Sequence, residues 1–328
     1  MKNITVSIVC NTYNHEKYIR DALEGFINQV TDFDYEVLVH DDASTDGTAD
    51  IIREYEAKYP KLIKPIYQTV NQYSQGLKPG RQNRARAVGK YIAVCEGDDY
   101  WIDPYKLQKQ VDYMEAHPEC TFCFTNGLTR YGDEVKQKVV PWDKQAIIKK
   151  NDSDYTVGEL ELLGYIPTAS FLYPRELKYA ELPKGAFSGD TFTKLSMTNY
   201  GYAHFIDEPM VVYRRSVGES ATAIWAKKPE VYANQCEAFV LLYEALKEIT
   251  NHRYDDVLNL RTTQWKIEKY FTLKDYCSLK KISESGELKH LQRGNLCSRI
   301  IFVSKCRFAK QFSMLRTFLK STFKFLNK

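Results

Sequence analysis

The stretch "YIAVCEGDDYW", residues 91–101, joins an apolar run to three acidic side chains. Its first four residues predict a buried strand, and Glu96, Asp98 and Asp99 follow where that strand leaves the core. Crowded carboxylates repel one another, and each loses hydration near a protein interior. Because a bound cation relieves both penalties, the stretch predicts a cation site at a strand end.

Residues 1–125 alternate between strand and helix patterns on either side of this stretch. Strand patterns occur in "TVSIVC", "YEVLVH", "LIKPIY", "YIAVCE" and "CTFCFT", and helical spacing occurs in "EKYIRDALEGFINQV" and "GTADIIREYEAKY". This alternation indicates an α/β fold with a mostly parallel sheet flanked by helices. Ligands bind such sheets at the carboxyl ends of the strands. We therefore expect the polar clusters "NTYN", "DDASTDGT" and "EGDDYW" to converge on one crevice.

Beyond these elements, residues 126–225 mix aromatic residues with short strand patterns, and a helical pattern runs from about Pro229 to Lys289. We predict a domain at 1–225, a helical extension at 226–290 and a basic amphipathic tail at 291–328.

Composition places the chain among globular proteins, with 328 residues of which 44% are hydrophobic. The N-terminus turns polar after one short strand and so lacks a signal-peptide pattern, and no apolar run reaches the roughly 20 residues of a membrane span. The eight cysteines show no paired zinc spacing and are interpreted as ordinary reduced thiols. We expect a cytoplasmic protein.

Several phosphate-binding and nucleophile motifs are missing from the sequence. It contains no GxGxxG after the first strand, no GxxxxGK[ST] and no GxSxG. A sheet that binds a nucleotide without these glycine loops needs another way to handle diphosphate charge. Mg²⁺ and Mn²⁺ prefer oxygen ligands and often share one or two carboxylates with substrate phosphates, which suits the acidic stretch.

Five segments in the right order give the chain a specific resemblance. They are "VSIVCNTYNHEKYIRDAL", "DDASTDGTADII", "GKYIAVCEGDDYWIDPYKLQKQVDYM", "SGD" at 188–190 and "DEPMVVYRRSVGESAT" at 207–222. Together they make the chain resemble a family 2 glycosyltransferase with the GT-A, Rossmann-like fold, over residues 1 to about 225. "EGDDYWIDP" is similar to bacterial enzymes that build capsule or lipopolysaccharide glycans.

The resemblance implies roles for individual residues. Asp98 corresponds to the principal metal ligand, Glu96 stands where many relatives have the first Asp of the motif, and Mn²⁺ or Mg²⁺ is the expected ion. Asp190 corresponds to the catalytic base. The residues expected around the nucleotide and its diphosphate are Thr12, Asp41, Asp42, Asp99, Arg214 and Arg215.

The implied activity is inverting transfer of a sugar from a nucleotide-sugar donor, with UDP expected, to a hydroxyl of a glycan or lipid-linked oligosaccharide in bacterial surface polysaccharide synthesis. Two other functions stay open from the sequence: a sugar nucleotidyltransferase, and a membrane-associated scaffold that keeps the fold without the chemistry. Simpler structural roles also stay open. Asp41 and Asp42 could begin a turn, and Asp190 could be a helix N-cap. Asp98 and Asp99 could lie in a solvated loop, and Arg214 and Arg215 could be exposed charges at a strand end.

The last 41 residues, Leu288 to Lys328, hold ten Lys or Arg and no Asp or Glu, although the whole chain carries only +4. On a helical wheel one face of the tail is apolar: Phe308, Phe312, Leu315, Leu319, Phe323 and Leu326. This suits an anionic membrane surface on the inner face of the cell membrane, or packing on the protein itself or a dimer partner. The helical segment 229–289 also offers a surface for a homodimer, and nothing indicates nucleic-acid binding.

Overall fold

The computed structural model describes residues 4–132, 134–136, 153–163, 165–178, 180–187, 189–215, 228–294 and 296–308. The chain forms two compact units, one of Met1–Tyr179 with Lys194–Gly218 and one of Ala180–Thr193 with Glu219–Lys328. The apolar tail residues beyond Phe308 lie outside the described part. The domain limits at 225 and 290 stay a prediction.

One mixed sheet organises the first unit. Its described strands are β1 (Ile4–Thr12), β2 (Asp34–Asp41), β3 (Ile63–Tyr67), β4 (Tyr91–Val94), β5 (Tyr100–Trp101), β6 (Cys120–Tyr131), β7 (Glu134–Lys136), β8 (Ser153–Tyr155), β9 (Leu172–Pro174) and β10 (Tyr202–Arg215). The order is β3-β2-β1-β4-β9-β6-β10-β5, with β7 on β6 and β8 on β10. The pairs β1–β2, β1–β4, β2–β3 and β6–β10 are parallel. The short strands pair antiparallel: β9 lies inside the sheet between β4 and β6, and β5, β7 and β8 pair with β10 or β6.

Helices flank this sheet, which confirms the predicted α/β class. They are α1 (Ile19–Ile27), α2 (Thr48–Lys58), α3 (Pro79–Ala85), α4 (Lys106–Ala116) and α5 (Val157–Leu162), followed by α6 (Asp190–Thr198), whose residues are divided between the two units. The helical spacing predicted around α1 places Ile19, Leu23 and Phe26 on its buried face. The middle of β1 is buried on both faces, as expected of a central parallel strand.

The polar stretch between β3 and β4 contains two short ordered elements. It contains a 3₁₀ turn at Tyr73–Gln75 and the short helix α3, which has proline at its first position. Asn83 in α3 is completely buried, and its Nδ2 donates to the carbonyls of Cys10 at 3.0 Å and Leu38 at 2.8 Å. An amide side chain, rather than an apolar one, therefore fixes this helix against β1 and β2.

The second unit is helical, in agreement with the predicted extension. It contains α7 (Pro229–Ile249), α8 (Asp255–Thr272), α9 (Tyr276–Glu284), a 3₁₀ turn at Glu287–Arg293 and α10 (Leu296–Arg307). The rings of Phe239 and Trp265 stack 4.3 Å apart between α7 and α8. Within the described ranges, no helix has the length and apolar composition needed to cross a membrane.

Candidate functional site

The carboxyl ends of β1, β2 and β4 meet at one edge of the sheet, because β1 lies between the other two strands. The N–H of Asp42 donates to the carbonyl of Thr12 at 3.0 Å, which joins the ends of β2 and β1. The N–H of Gly97 donates to the carbonyl of Asn11 at 3.0 Å, which joins the segment after β4 to β1. The three predicted polar clusters therefore converge.

The carboxylates of the acidic loop, residues 95–99, differ in how deeply they are buried. Glu96 and Asp98 are half-buried, whereas Asp99 is only 3% exposed. Asp99 Oδ1 accepts the backbone N–H of Arg214 at 2.8 Å. Burial raises the pKa of Asp99 well above its usual range, and the neighbouring charges of Asp98 and Glu96 raise it further. Asp99 therefore anchors the loop to β10, and Glu96 and Asp98 are the more accessible pair.

Arg214 supports the same loop with its side chain. The guanidinium is buried, donates to the carbonyl of Asp98 at 2.8 Å and forms an ion pair with Asp21 of α1. It also lies over the rings of Tyr100 and Tyr18, with its central carbon 4.3 Å and 5.2 Å from their centroids. Arg214 thus adds a positive charge directly beside the acidic loop.

Arg215 lies elsewhere, because consecutive residues of a strand point to opposite faces of the sheet. Its side chain is exposed, and Nη1 donates to the hydroxyl of Tyr131 at 2.8 Å. The structure therefore brings Arg214 to the acidic loop and places Arg215 on the opposite face of β10.

The two aspartates at the end of β2, Asp41 and Asp42, have different surroundings. Both carboxylate oxygens of Asp42 accept backbone N–H groups, from Gln72 at 2.8 Å and Tyr73 at 3.0 Å. Asp42 therefore fixes the 3₁₀ turn of the segment between β3 and β4. Asp41 instead accepts a hydrogen bond from the hydroxyl of Ser44. Burial raises the pKa of Asp41, and the Ser44 hydrogen bond opposes that rise.

Buried polar atoms without protein partners face the acidic loop. Thr12 is 3% exposed, and within the described chain neither its Oγ1 nor Nδ1 of His15 has a hydrogen-bond partner. A Cβ at Gly97 would lie 2.6 Å from Thr12 Oγ1 and 3.0 Å from His15 Nδ1, so glycine permits this close approach. Unpaired buried polar atoms are costly, and a bound ligand would satisfy them.

The acidic loop fits a divalent ion that is completed by a substrate. Among the residues that the structure describes, no three His, Cys, Asp or Glu side chains are grouped as a complete metal site. Glu96 and Asp98 supply carboxylate oxygens, the ligand type that Mg²⁺ and Mn²⁺ prefer, and such ions commonly take their remaining ligands from phosphates and water. The donor set therefore suits an ion bound together with a diphosphate.

Asp190, the predicted base, is the first residue of α6 and belongs to the second unit. It is half-buried, and its Oδ1 accepts the N–H of Thr191 at 2.8 Å. The donor is the next residue, so this contact is not the N-cap hydrogen bond of the structural alternative, which joins residues two or three positions apart. The carboxylate also has a second oxygen for other partners. Its catalytic role stays a prediction.

Three residues of this region were not singled out from the sequence. Asp21 pairs with Arg214, Asn83 bridges β1 and β2, and Gly97 allows the acidic loop to reach Thr12. A glycine between two acidic residues is a signal that could have identified Gly97. The partners of Asp21 and Asn83 are distant in sequence, so neither residue carried a local signal.

Comparison with known proteins identifies the fold and the family. The model of glycosyl transferase family 2 matches residues 7–176, more than half of the chain. The solved structure of S. aureus TarS residues 1–349 with UDP-GlcNAc has a TM-score of 0.61 at 20% identity, covering 98% of this chain and 92% of that one. The mannosyltransferase PcManGT from Pyrobaculum calidifontis with GDP-Man and Mn²⁺ has a TM-score of 0.52 at 17% identity, covering 96% and 84%. Both show the GT-A fold.

Curated relatives agree. The uncharacterized protein Rv1520 of Mycobacterium tuberculosis is 34% identical over 268 residues, which is 80% of this chain and 74% of that protein. The poly(ribitol-phosphate) beta-glucosyltransferase of Bacillus spizizenii is 38% identical over 96 residues, 29% of this chain and 15% of that enzyme. With the family match, these similarities establish that the chain belongs to glycosyl transferase family 2 and is a glycosyltransferase.

Proposed function

We propose that the protein is an inverting, metal-dependent glycosyltransferase that moves a sugar from a UDP-linked donor to a hydroxyl of a glycan or lipid-linked oligosaccharide in bacterial surface polysaccharide synthesis. The donor class is supported by the UDP-GlcNAc bound to TarS, which has the same fold. The acceptor class is supported by the glucosyltransferase relative that acts on poly(ribitol-phosphate).

The observation that carries this proposal is the meeting of three strand ends at one edge of the sheet. There the half-buried carboxylates Glu96 and Asp98 lie beside the end of β1, where Thr12 Oγ1 is buried and has no hydrogen-bond partner among the described residues. A diphosphate with its metal ion brings both oxygen donors and charge to this edge. It would therefore satisfy the hydrogen-bonding and the electrostatic requirements together.

The residues of this edge divide the task of donor binding. Asp41 accepts a hydrogen bond from the nucleobase, since both oxygens of Asp42 are already committed to backbone N–H groups. Asp98 and Glu96 hold the divalent ion, which when bound neutralises charge on the diphosphate leaving group. Asp99 and Arg214 keep the acidic loop in place, and Arg214 adds positive charge next to the leaving group. Thr12 borders the nucleotide.

On the acceptor side, Asp190 takes the proton of the attacking hydroxyl, for roughly 10²–10⁴-fold in rate. A single displacement inverts the anomeric centre and leaves no sugar on the enzyme. Mass spectrometry of enzyme trapped during turnover is expected to find no glycosylated carboxylate. A covalent sugar on Asp190 or any other carboxylate would contradict inversion.

The test of the function is a donor screen with Mn²⁺ and a panel of nucleotide sugars, read by released nucleotide. We expect slow UDP release from one UDP-sugar. Asp98→Asn and Asp190→Asn should both abolish transfer, whereas only Asp98→Asn should weaken Mn²⁺-dependent UDP binding. Release of pyrophosphate from a nucleoside triphosphate and a sugar phosphate would instead identify a nucleotidyltransferase. No nucleotide binding at all would favour a scaffold.

We also propose that the C-terminal region binds an anionic membrane surface. On α10 and directly after it, Ile300 and Phe308 are 56% and 57% exposed, and Arg299 and Arg307 are exposed beside them. The sequence that follows is equally basic and free of acidic residues. Flotation with phosphatidylglycerol vesicles should fall when Ile300 and Phe308 are changed to Ser. Val88→Ser, at an equally exposed position of the first unit, is the control, and equal flotation of all variants would refute membrane binding.

A further inference from the structure

Lys106, the first residue of α4, is completely buried. Its Nζ lies 4.2 Å from the centroid of the Trp101 ring and donates to Oε1 of Gln110 at 2.7 Å. Among the described residues, no carboxylate lies within 4 Å of this ammonium group. A buried cation without a carboxylate is costly, and the positive end of the helix dipole at the start of α4 adds to that cost. Packing alone therefore does not explain a lysine at this position.

The contacts of Lys106 belong to a network inside the first unit. Nε2 of Gln110 donates to the carbonyl of Ser170 at 2.9 Å, and Nε1 of Trp101 donates to the carbonyl of Ala169 at 2.8 Å. Lys106 and Trp101 are therefore both fixed to the 3₁₀ turn at Thr168–Ser170. The ammonium group connects these two attachments, because it contacts the Trp101 ring and Gln110 at once.

Trp101 in turn connects this network to the acidic loop. It lies two residues after Asp99, and as part of β5 it pairs with Val211 of β10. The N–H of Ile102 donates to the carbonyl of Met210 at 2.9 Å. Arg214, three residues after Val211 on the same strand, donates its backbone N–H to the Asp99 carboxylate. A shift of the Trp101 ring would therefore move the segment that fixes Asp99 and the loop before it.

We propose that Lys106 is a positioning residue that holds the Trp101 ring through a buried cation–π contact, and thereby keeps the acidic loop in its ligand-binding geometry. This inference deepens the proposed donor site and rests on it. The contact is stronger than a surface cation–π pair, since water is excluded from it. An apolar side chain of the same length would fill the space but would not fix the ring.

The charge on Lys106 depends on pH near neutrality. Burial lowers its pKa from the usual 10.5 to about 7, and the nearby Cys95, Cys123 and Asp103 oppose that shift. Because the unfolded chain keeps the proton up to about 10.5, the charged lysine disfavours folding most strongly below pH 7, and this penalty disappears as the pH rises towards 10.5. The protonated form alone makes the contact with Trp101, so positioning weakens above pH 7.

The substitution Lys106→Met distinguishes a role of Lys106 in positioning the Trp101 ring from a purely structural role in packing. A structural role predicts a lower unfolding temperature. Positioning predicts an unfolding temperature at pH 6.5 equal to or above that of the wild type, because a buried charge has been replaced by an apolar group. At the same time, hydrogen exchange at the amides of Asp99, Ile102 and Arg214 should accelerate by about thirtyfold, and the affinity for UDP with Mn²⁺ should fall by about thirtyfold, the size of a desolvated cation–π contact.

Lys109→Met is the matched control, because it removes the same charge from the same helix at a side chain that pairs with Asp103 and Glu208 instead of Trp101. It should leave exchange in the acidic loop unchanged. Unchanged exchange and unchanged UDP affinity in Lys106→Met would overturn the inference, as would a loss of stability with accelerated exchange throughout the unit.

Two further measurements keep the test decisive. If Lys106→Met does not fold, the wild type is followed from pH 6 to 9, and exchange at Asp99 and Ile102, corrected for its intrinsic pH dependence, should accelerate as the pH passes 7. A flat profile would overturn the inference. If the wild type itself does not bind UDP with Mn²⁺, the proposed donor fails, and the exchange measurements still decide the positioning role.

Discussion

Gly97→Ala is a direct perturbation of the proposed donor site. The added Cβ would lie 2.6 Å from Oγ1 and 2.8 Å from Cβ of Thr12, and 3.0 Å from Nδ1 of His15. Thr12 cannot move aside, because it is 3% exposed and ends β1, where its carbonyl holds the N–H of Asp42. The acidic loop must therefore shift away from the strand.

The expected loss of UDP affinity follows from the rigidity of Thr12. Overpacking of a well-packed interior costs about 1–3 kcal/mol. The loop of the free protein can avoid this cost by shifting, so the cost arises only when the loop returns to its binding geometry. The affinity for UDP with Mn²⁺ should then fall by about 5- to 150-fold. The remaining fold should lose little, because the strain is confined to residues at the end of one strand.

Calorimetric titration of UDP in the presence of Mn²⁺, together with thermal unfolding, measures both quantities. Gly47→Ala is a suitable control, because its Cβ would come equally close, at 2.7 Å, to the side chain of Glu16. Glu16 is exposed and can turn away, so this variant should bind as the wild type does. Wild-type affinity in Gly97→Ala would refute the close approach of the acidic loop to Thr12.

Three other changes test the supports of the site. Asp21→Asn should cost about 1–2 kcal/mol in urea unfolding, less than a fully buried ion pair because the Asp21 side chain is 49% exposed, while it leaves the Arg214 guanidinium buried. Asn83→Leu should lower the unfolding temperature, since the carbonyls of Cys10 and Leu38 each lose a donor at about 1–3 kcal/mol. Removal of divalent ions with EDTA should abolish UDP release, and added Mn²⁺ should restore it.

The fold could be predicted because its strands carry a strong local signal. The cores of β1, β2 and β4 are short apolar runs followed directly by polar clusters, and the parallel arrangement then brings their ends together. The negative charge of the acidic loop could also be recognised in the sequence, since Glu96, Asp98 and Asp99 follow the apolar run of β4. Alternation of strands and helices gave the class without any knowledge of contacts.

The supports of the site could not be predicted, because they join residues far apart in the chain. Arg214 and Asp21 are separated by 193 positions, and nothing near either residue indicates the other. Helix α3 was missed for a different reason. It is seven residues long and includes Pro79 and Gly80, so its local propensity is low, and it is held by the buried amide of Asn83.

The two Asp-Asp pairs, which look alike in the sequence, divide their roles in the same way. In each pair the second aspartate is a structural anchor: Asp42 accepts backbone N–H groups of the 3₁₀ turn, and Asp99 accepts that of Arg214. Within the described residues, the first member of each pair, Asp41 or Asp98, accepts no backbone N–H from a distant segment. A carboxylate that accepts backbone N–H groups cannot turn towards a ligand without giving up those hydrogen bonds. Each pair thus combines one residue that shapes the edge of the sheet with one that is suited to bind at it.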